Sequence, residues 1–248
     1  MSIEQNKRFL TDLFAGPFRG HAIIVDPVWP DNPLGDFLCS DRPVKDWIPW
    51  VEARYAAMVK QADAIGDDSV PYVGLNTNTG VFAAAFGCRL HVYEGLATNA
   101  SAQPAVSTAA EADALPEPDH RKSATLCRFM ELAMLARDRL GPGAPIGVPD
   151  VQSPFDVASL VWRKENLLAA LYEEPEAVRR LVGKCLRLQK GFLQDFKREF
   201  PNGNLCHCPN AWAPQELGMW LSEDEAGTIS TAMFEEFCLP SLVDLSRT

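Results

Sequence analysis

No stretch of this chain approaches the roughly 20 consecutive apolar residues that a membrane-spanning helix needs. Its opening residues, "MSIEQNKRFLTDLF", lack an apolar core followed by a small-residue cleavage site, and read as an amphipathic helix rather than an export signal. Basic residues are also in short supply: 23 Lys and Arg stand against 33 Asp and Glu, for a formal net charge of -10. Such a surface repels phosphate backbones, which excludes nucleic acid as a natural partner. It disfavours a polyanionic substrate too, unless cations gather locally. The seven cysteines are odd in number and irregular in spacing, which argues against a disulfide framework and for reduced thiols in a cytoplasm. There is no Gly-x-Gly-x-x-Gly after a strand, no P-loop and no repeat of fixed period.

What is present is apolar residues, 47% of 248, enough to bury one large core. They alternate between two periods. "HAIIVDPVWP" (His21–Pro30) reads as a strand stopped by a Pro-Asp-Asn-Pro loop. "VKDWIPWVEARYAAMVKQADAIG" (Val44–Gly66) has helical spacing, with Pro49 marking a start or a kink. "SVPYVGLNTNTG" (Ser69–Gly80) is a strand running into a polar loop, and "ASAQPAVSTAAEADAL" a small-residue, acidic surface excursion. Lys122–Gly141 forms a helix with a glycine stop. Ala144–Val161 reads as a strand, a polar turn and a helix opening at Pro154. Two further helices are split at Glu174-Pro175. "GNLCHCPNAWAP" is a short strand; Ser222 and Glu225 form a capping box, and a last helix starts at Ser230. Strand, loop and helix in repetition predict an α/β fold around a parallel sheet, in one domain over residues 1–248.

Short polar groups just past the strands are the candidate ligand contacts. They are Asp26 and Trp29; Asn76, Asn78 and Thr79; and Asp150, Gln152 and Ser153, with Asp150 and Gln152 expected to be catalytic. The competing reading makes them turn formers and caps. His91 and His120 look like ordinary surface or core histidines. Glu223, Asp224 and Glu225 look like a solvated helix start. In "LCHCPNAW" (Leu205–Trp212), strand alternation puts Cys206 and Cys208 on one face and His207 on the other, so the three are not expected to share a metal. One face only should reach the pocket, with His207 and Asn210 as its contributors.

Three stretches together resemble the uroporphyrinogen decarboxylase superfamily, which includes the corrinoid-dependent methyltransferases. They are "QSPFDVASLVWRKENLLAALYEEPEAVRRLVGKC", "LSEDEAGTISTAMFEEFCLPSLVDL", and "FAAAFGCRLHV" with the later "ALPEPD". The resemblance implies a (β/α)8 TIM barrel with its site at the C-terminal ends of the strands. It implies an enzyme: a methyltransferase moving a methyl group between a small substrate or thiol and a corrinoid protein, or else a decarboxylase of uroporphyrinogen or another acid. A non-catalytic binding barrel is the third reading. The decarboxylases carry "RQAGRY" after the first strand. Here that stretch is "VDPVWPDNPLGDF", with Asp26, Asp31 and Asp36 and no Arg, which disfavours a substrate with many carboxylates. The methyltransferase branch binds zinc through a His-x-Cys pair and a distant Cys. No such set is assigned in these residues; the pair and the remaining strands are expected beyond Thr248, leaving the barrel incomplete in this chain. Implied partners are a small-molecule substrate, a corrinoid protein and a second copy in a homodimer.

Overall fold

The computed structural model of the chain describes residues 2–16, 20–25, 32–75, 77–93 and 100–248. Ser2 caps helix α1 (Ile3–Ala15) through a capping box with Gln5. Helix α2 (Ile48–Ile65) has Pro49 in its first turn, where the missing N–H costs nothing, and ends on Gly66 in the left-handed region at φ 68°. A hairpin of β1 (Arg89–Val92) and β2 (Ala100–Gln103) follows, then α3 (Ala109–Ala114) and α4 (Ala124–Leu140). Gly141 stops α4, as its position in the sequence predicts. Ser153 caps α5 (Pro154–Val161), and α6 (Lys164–Glu173) and α7 (Pro175–Glu199) divide at Glu174-Pro175. Ser230 caps α8 (Thr231–Met233), which runs through a wider turn at Phe234–Cys238 into α9 (Leu239–Ser246). None of the described helices is long and apolar enough to cross a membrane.

The parallel sheet exists as short pairings rather than long strands. Val73 bridges Ile146, Gly147 bridges Asn204, Cys206 bridges Trp220 and Gln152 bridges Ser222, all in parallel. The bonds are well formed: Val73 N–H donates to the Pro145 carbonyl at 2.7 Å, Asn204 N–H to Ile146 at 2.8 Å and His207 N–H to Trp220 at 2.9 Å. Segments 71–75, 144–148, 203–207 and 219–222 are therefore neighbours in chain order, the arrangement that strand–helix repetition predicts. The only multi-residue ladder among the described residues is the antiparallel hairpin.

Three expectations need correction. The 21–25 part of the first predicted strand is held at Asp67–Asp68, with Ile23 N–H on Asp68 Oδ2 and Val25 N–H on Asp67 Oδ2, both at 2.8 Å. One backbone bond, from Asp68 N–H to the Ile23 carbonyl at 2.9 Å, joins these two carboxylate contacts in place of a strand ladder. The small-residue excursion is a docked element: β2 pairs with β1, Ala100, Val106 and Ala112 are buried, and Lys184 of α7 ties down carbonyls at the end of α3. Ser222 does not cap a helix with Glu225, because Glu225 is turned inward to Lys164 at 2.5 Å and Ser159 at 3.2 Å.

The core is organised by α7. Its Val178, Leu181, Val182, Cys185, Leu188, Phe192 and Phe196 repeat at three and four residues and are buried. Phe192 sits among Phe82, Phe129 and Phe196, with ring centroids 5.5, 5.9 and 6.3 Å away. Truncating a ring so enclosed removes its transfer energy and leaves a cavity. Phe192→Ala should cost about 3–5 kcal/mol in urea unfolding, and a loss below about 1 kcal/mol would show that the cluster is not the core's centre.

Candidate active site

Because the paired segments run parallel, the residues that follow them emerge at one end. Thr77 follows the 71–75 segment, Asp150 the 144–148 segment and His207 the 203–207 segment. The structure brings them together. Asp150 N–H donates to Thr77 Oγ1 at 2.6 Å, and His207 Nε2 lies 3.0 Å from Asp150 Oδ1. That second approach is at ion-pair distance, but the ring N–H is not aligned on the oxygen, so Oδ1 has no formed hydrogen bond. The Asp150 side chain is 13% exposed and that of His207 28%. Both face a small cavity of about 70 Å³.

Glycine makes room for that cavity. A side chain at Gly147 would sit 3.0 Å from the Tyr72 ring, and one at Gly74 would lie 3.6 Å from Tyr72 and 3.7 Å from an Arg54 guanidinium nitrogen. Tyr72 and Arg54 fill the space those two glycines leave, and both line the cavity. Burial holds the Arg54 guanidinium below its ordinary pKa, with Tyr72 acting the other way. The cation approaches from α2, over the Trp50 ring at 5.2 Å.

The turn after Cys206 is wound around Asn204, which is fully buried. Its amide donates to the Ala211 carbonyl at 2.9 Å, and its Oδ1 accepts from Cys206 N–H at 3.2 Å and Ala213 N–H at 3.1 Å. This corrects the strand-face expectation. Pairing ends at Cys206, so the two cysteines do not share a face: Cys206 is buried and lines the inner cavity beside His207, while Cys208 is exposed. Cys208 lines an adjoining open pocket of about 560 Å³ with Ile24, Pro209 and Ala211; His207 and Asn210 border both spaces. The Cys206 thiol donates to the Pro209 carbonyl at 3.2 Å, and burial pushes its pKa up to about 12.

Of the residues expected from the sequence, Asp150, His207 and Asn210 meet at this cavity. Asp26, Trp29 and Asn76 lie outside the described residues. Asn78 is buried away from the cavity, donating to Asp36 Oδ2 at 2.5 Å and accepting from Gly80 N–H at 2.9 Å. It holds a loop. Thr79 occupies the turn beside it. Gln152 donates to Asp224 Oδ2 at 2.8 Å, and Ser153 caps α5 through Asp156 N–H at 2.9 Å. Those two serve the chain's own packing. Arg54, Tyr72 and Thr77 were missed; only Thr77, in the same polar loop as Asn78, carried a signal. Among the described residues no three His, Cys, Asp or Glu side chains converge as metal ligands, and the Cys206 thiol donates to a backbone carbonyl.

A family model described as uroporphyrinogen decarboxylase matches residues 12–199. Comparison with curated protein sequences gives no match. Among solved structures, a methyltransferase from Methanosarcina mazei is similar, with a TM-score of 0.62 at 14% sequence identity, over 97% of this chain and 66% of that one. The likeness is one of fold, and it places the helix-rich α/β arrangement in the TIM-barrel type. This chain spans just under two thirds of that relative's length.

The acidic stretch at residues 223–225 is the second correction at this end of the molecule: Asp224 is exposed and opens a short 3-10 helix (Asp224–Thr228), but Glu225 is buried and Glu223 half-buried rather than solvated. Asp156, 2% exposed, accepts from Asp224 N–H at 2.8 Å and Glu225 N–H at 3.0 Å. Both Glu223 carboxylate oxygens are buried without a formed hydrogen bond, with the Ser153 hydroxyl and the Asp156 carboxyl as polar neighbours. Burial, then the Glu223 charge, pushes the Asp156 pKa up to about 8, and burial raises that of Glu223. The folded chain thus holds a proton that the unfolded chain releases above about pH 4. The stabilisation is complete below that pH and is lost as pH rises through about 8. Urea midpoints should fall between pH 6 and pH 9, roughly, and Glu223→Gln should flatten that fall. An equal fall in the variant would show that the two acids do not share the proton.

Proposed function

The chain belongs to the uroporphyrinogen decarboxylase family, and from that premise we propose that it is an enzyme of the methyltransferase-like branch, acting on a small substrate. The paired parallel segments are read, on the same proposal, as part of an eight-stranded barrel. The observation that carries the reading is the Asp150–His207 pair on the wall of a cavity of only about 70 Å³. The inner space admits a small reacting group, and the adjoining pocket of about 560 Å³ takes whatever else the substrate carries.

The pair is suited to proton transfer. His207 turns Nε2 towards Asp150, which leaves Nδ1 to take a proton from a thiol or hydroxyl. A small turn of the ring closes the Nε2–H contact to Oδ1, through which Asp150 would orient the imidazole and stabilise it once charged. A methylated corrinoid carried by a partner protein would supply the methyl group, its cobalt keeping the electron pair of the broken Co–C bond, and this chain's part would be to hold the deprotonated acceptor in place. Asn210, bordering both spaces, is placed to orient the substrate between them. The fold likeness to a methyltransferase supports this choice of reaction.

Arg54 favours a second reading. A cation on the cavity wall can hold a carboxylate, so decarboxylation of a small acid uses the same residues with Arg54 as the anchor. It also supplies the positive charge that the Asp-rich stretch after residue 25 lacks.

The two readings separate in one experiment. With methylcobalamin and 2-mercaptoethanol, the wild-type protein should form the thioether, and His207→Ala should lower kcat by about 10²–10⁴. Asp150→Asn should lower it less, roughly tenfold, because the ring remains but is poorly oriented. Release of carbon dioxide from small acids, with no thioether formed and with dependence on Arg54, would replace methyl transfer by decarboxylation.

A further inference from the structure

We infer that the Thr77 hydroxyl is a substrate-contacting donor, which holds the atom from which His207 removes a proton. The inference rests on the acid–base reading above and adds a residue to it.

A hydroxyl has one proton to give and two lone pairs. At Thr77 one lone pair accepts the Asp150 N–H at 2.6 Å, and among the described residues no acceptor stands at bonding distance from the hydroxyl's own proton. Turn threonines ordinarily bond their own backbone two residues on. This one reaches 73 residues along the chain instead, joining two strand ends. It lines the same cavity as Asp150 and His207, so its uncommitted proton has the cavity to point into. The Cys206 thiol on that wall is already committed to the Pro209 carbonyl.

The balance is simple. The S–H or O–H proton of the substrate moves to His207 Nδ1, and the electron pair stays on sulfur or oxygen. Thr77 O–H then donates to the resulting anion. A donor fixed where charge develops gains strength as that charge appears. Asp150 N–H fixes the hydroxyl oxygen, so the donor needs no reorganisation when the proton leaves.

The test uses 2-mercaptoethanol as the probe and follows thiolate by ultraviolet difference absorbance against pH, in the whole protein. Wild type and Thr77→Ser should lower the apparent pKa of the bound thiol. Thr77→Val should raise it by about one unit relative to Thr77→Ser, a tenfold loss of thiolate fraction. Thr77→Ala gives the same comparison should Val not fold, and melting curves confirm that each variant is folded. The rise should persist in an Asp150→Asn background, because the hydroxyl acts on sulfur directly. Disappearance of the effect in that background would make Thr77 only a support for Asp150 and would overturn the inference, as would equal behaviour of Val and Ser. An unshifted thiol in wild type and every variant is a different failure, since it removes the acid–base reading itself.

Discussion

Parallel register is the constraint on which the site depends. Strands paired in parallel all end at the same side of a sheet, so side chains from distant stretches converge without any local sequence signal. Here the pairing is short, a bridge or two per neighbour, yet it is enough to carry Thr77, Asp150 and His207 to one cavity. Each link is a backbone hydrogen bond of ordinary length. Helices α4 and α7 pack on each other through the aromatic core around Phe192, so the accuracy of the site rests on packing some distance from it.

Much of the fold was legible because it depends on local chemistry. Pro49, Gly66, Gly141 and the Glu174-Pro175 break all mark helix ends where the structure has them, each by what its backbone can do at a terminus. What could not be read was the use of short polar residues at the mouth. Asp150, Gln152, Ser153 and Asn78 look alike in the sequence, but Asp150 faces the cavity while the other three bond to Asp224, Asp156 and Asp36. Their choice is made by long-range partners. The same holds for Arg54, which arrives from the middle of α2, a position with no motif.

The acidic composition has a structural counterpart in the buried pair Asp156–Glu223. Sequence reasoning treats a run of three acids as solvated, because an ionised carboxylate resists burial. The structure resolves the conflict in two ways. Glu225 is matched by Lys164, and Asp156 accepts two backbone N–H groups while its pKa rises far enough for it to keep a proton. The strap from Ser222 to Thr228 is thereby fastened to the start of α5, and with it the strand end that runs from Asp150 to Ser153.

The last step concerns why a cavity exists at all. Barrel interiors are ordinarily filled with branched side chains in layers. Here Gly74 and Gly147 leave that volume to Tyr72 and Arg54, two long side chains whose polar ends cannot close it as a hydrocarbon would. The space that remains is small, and Thr77, Asp150 and His207 face it. Adding a methyl group at Gly147 would press on the Tyr72 ring, a side chain that lines the cavity. The size of the inner cavity is thus set in part by Gly147, a residue that does not line it.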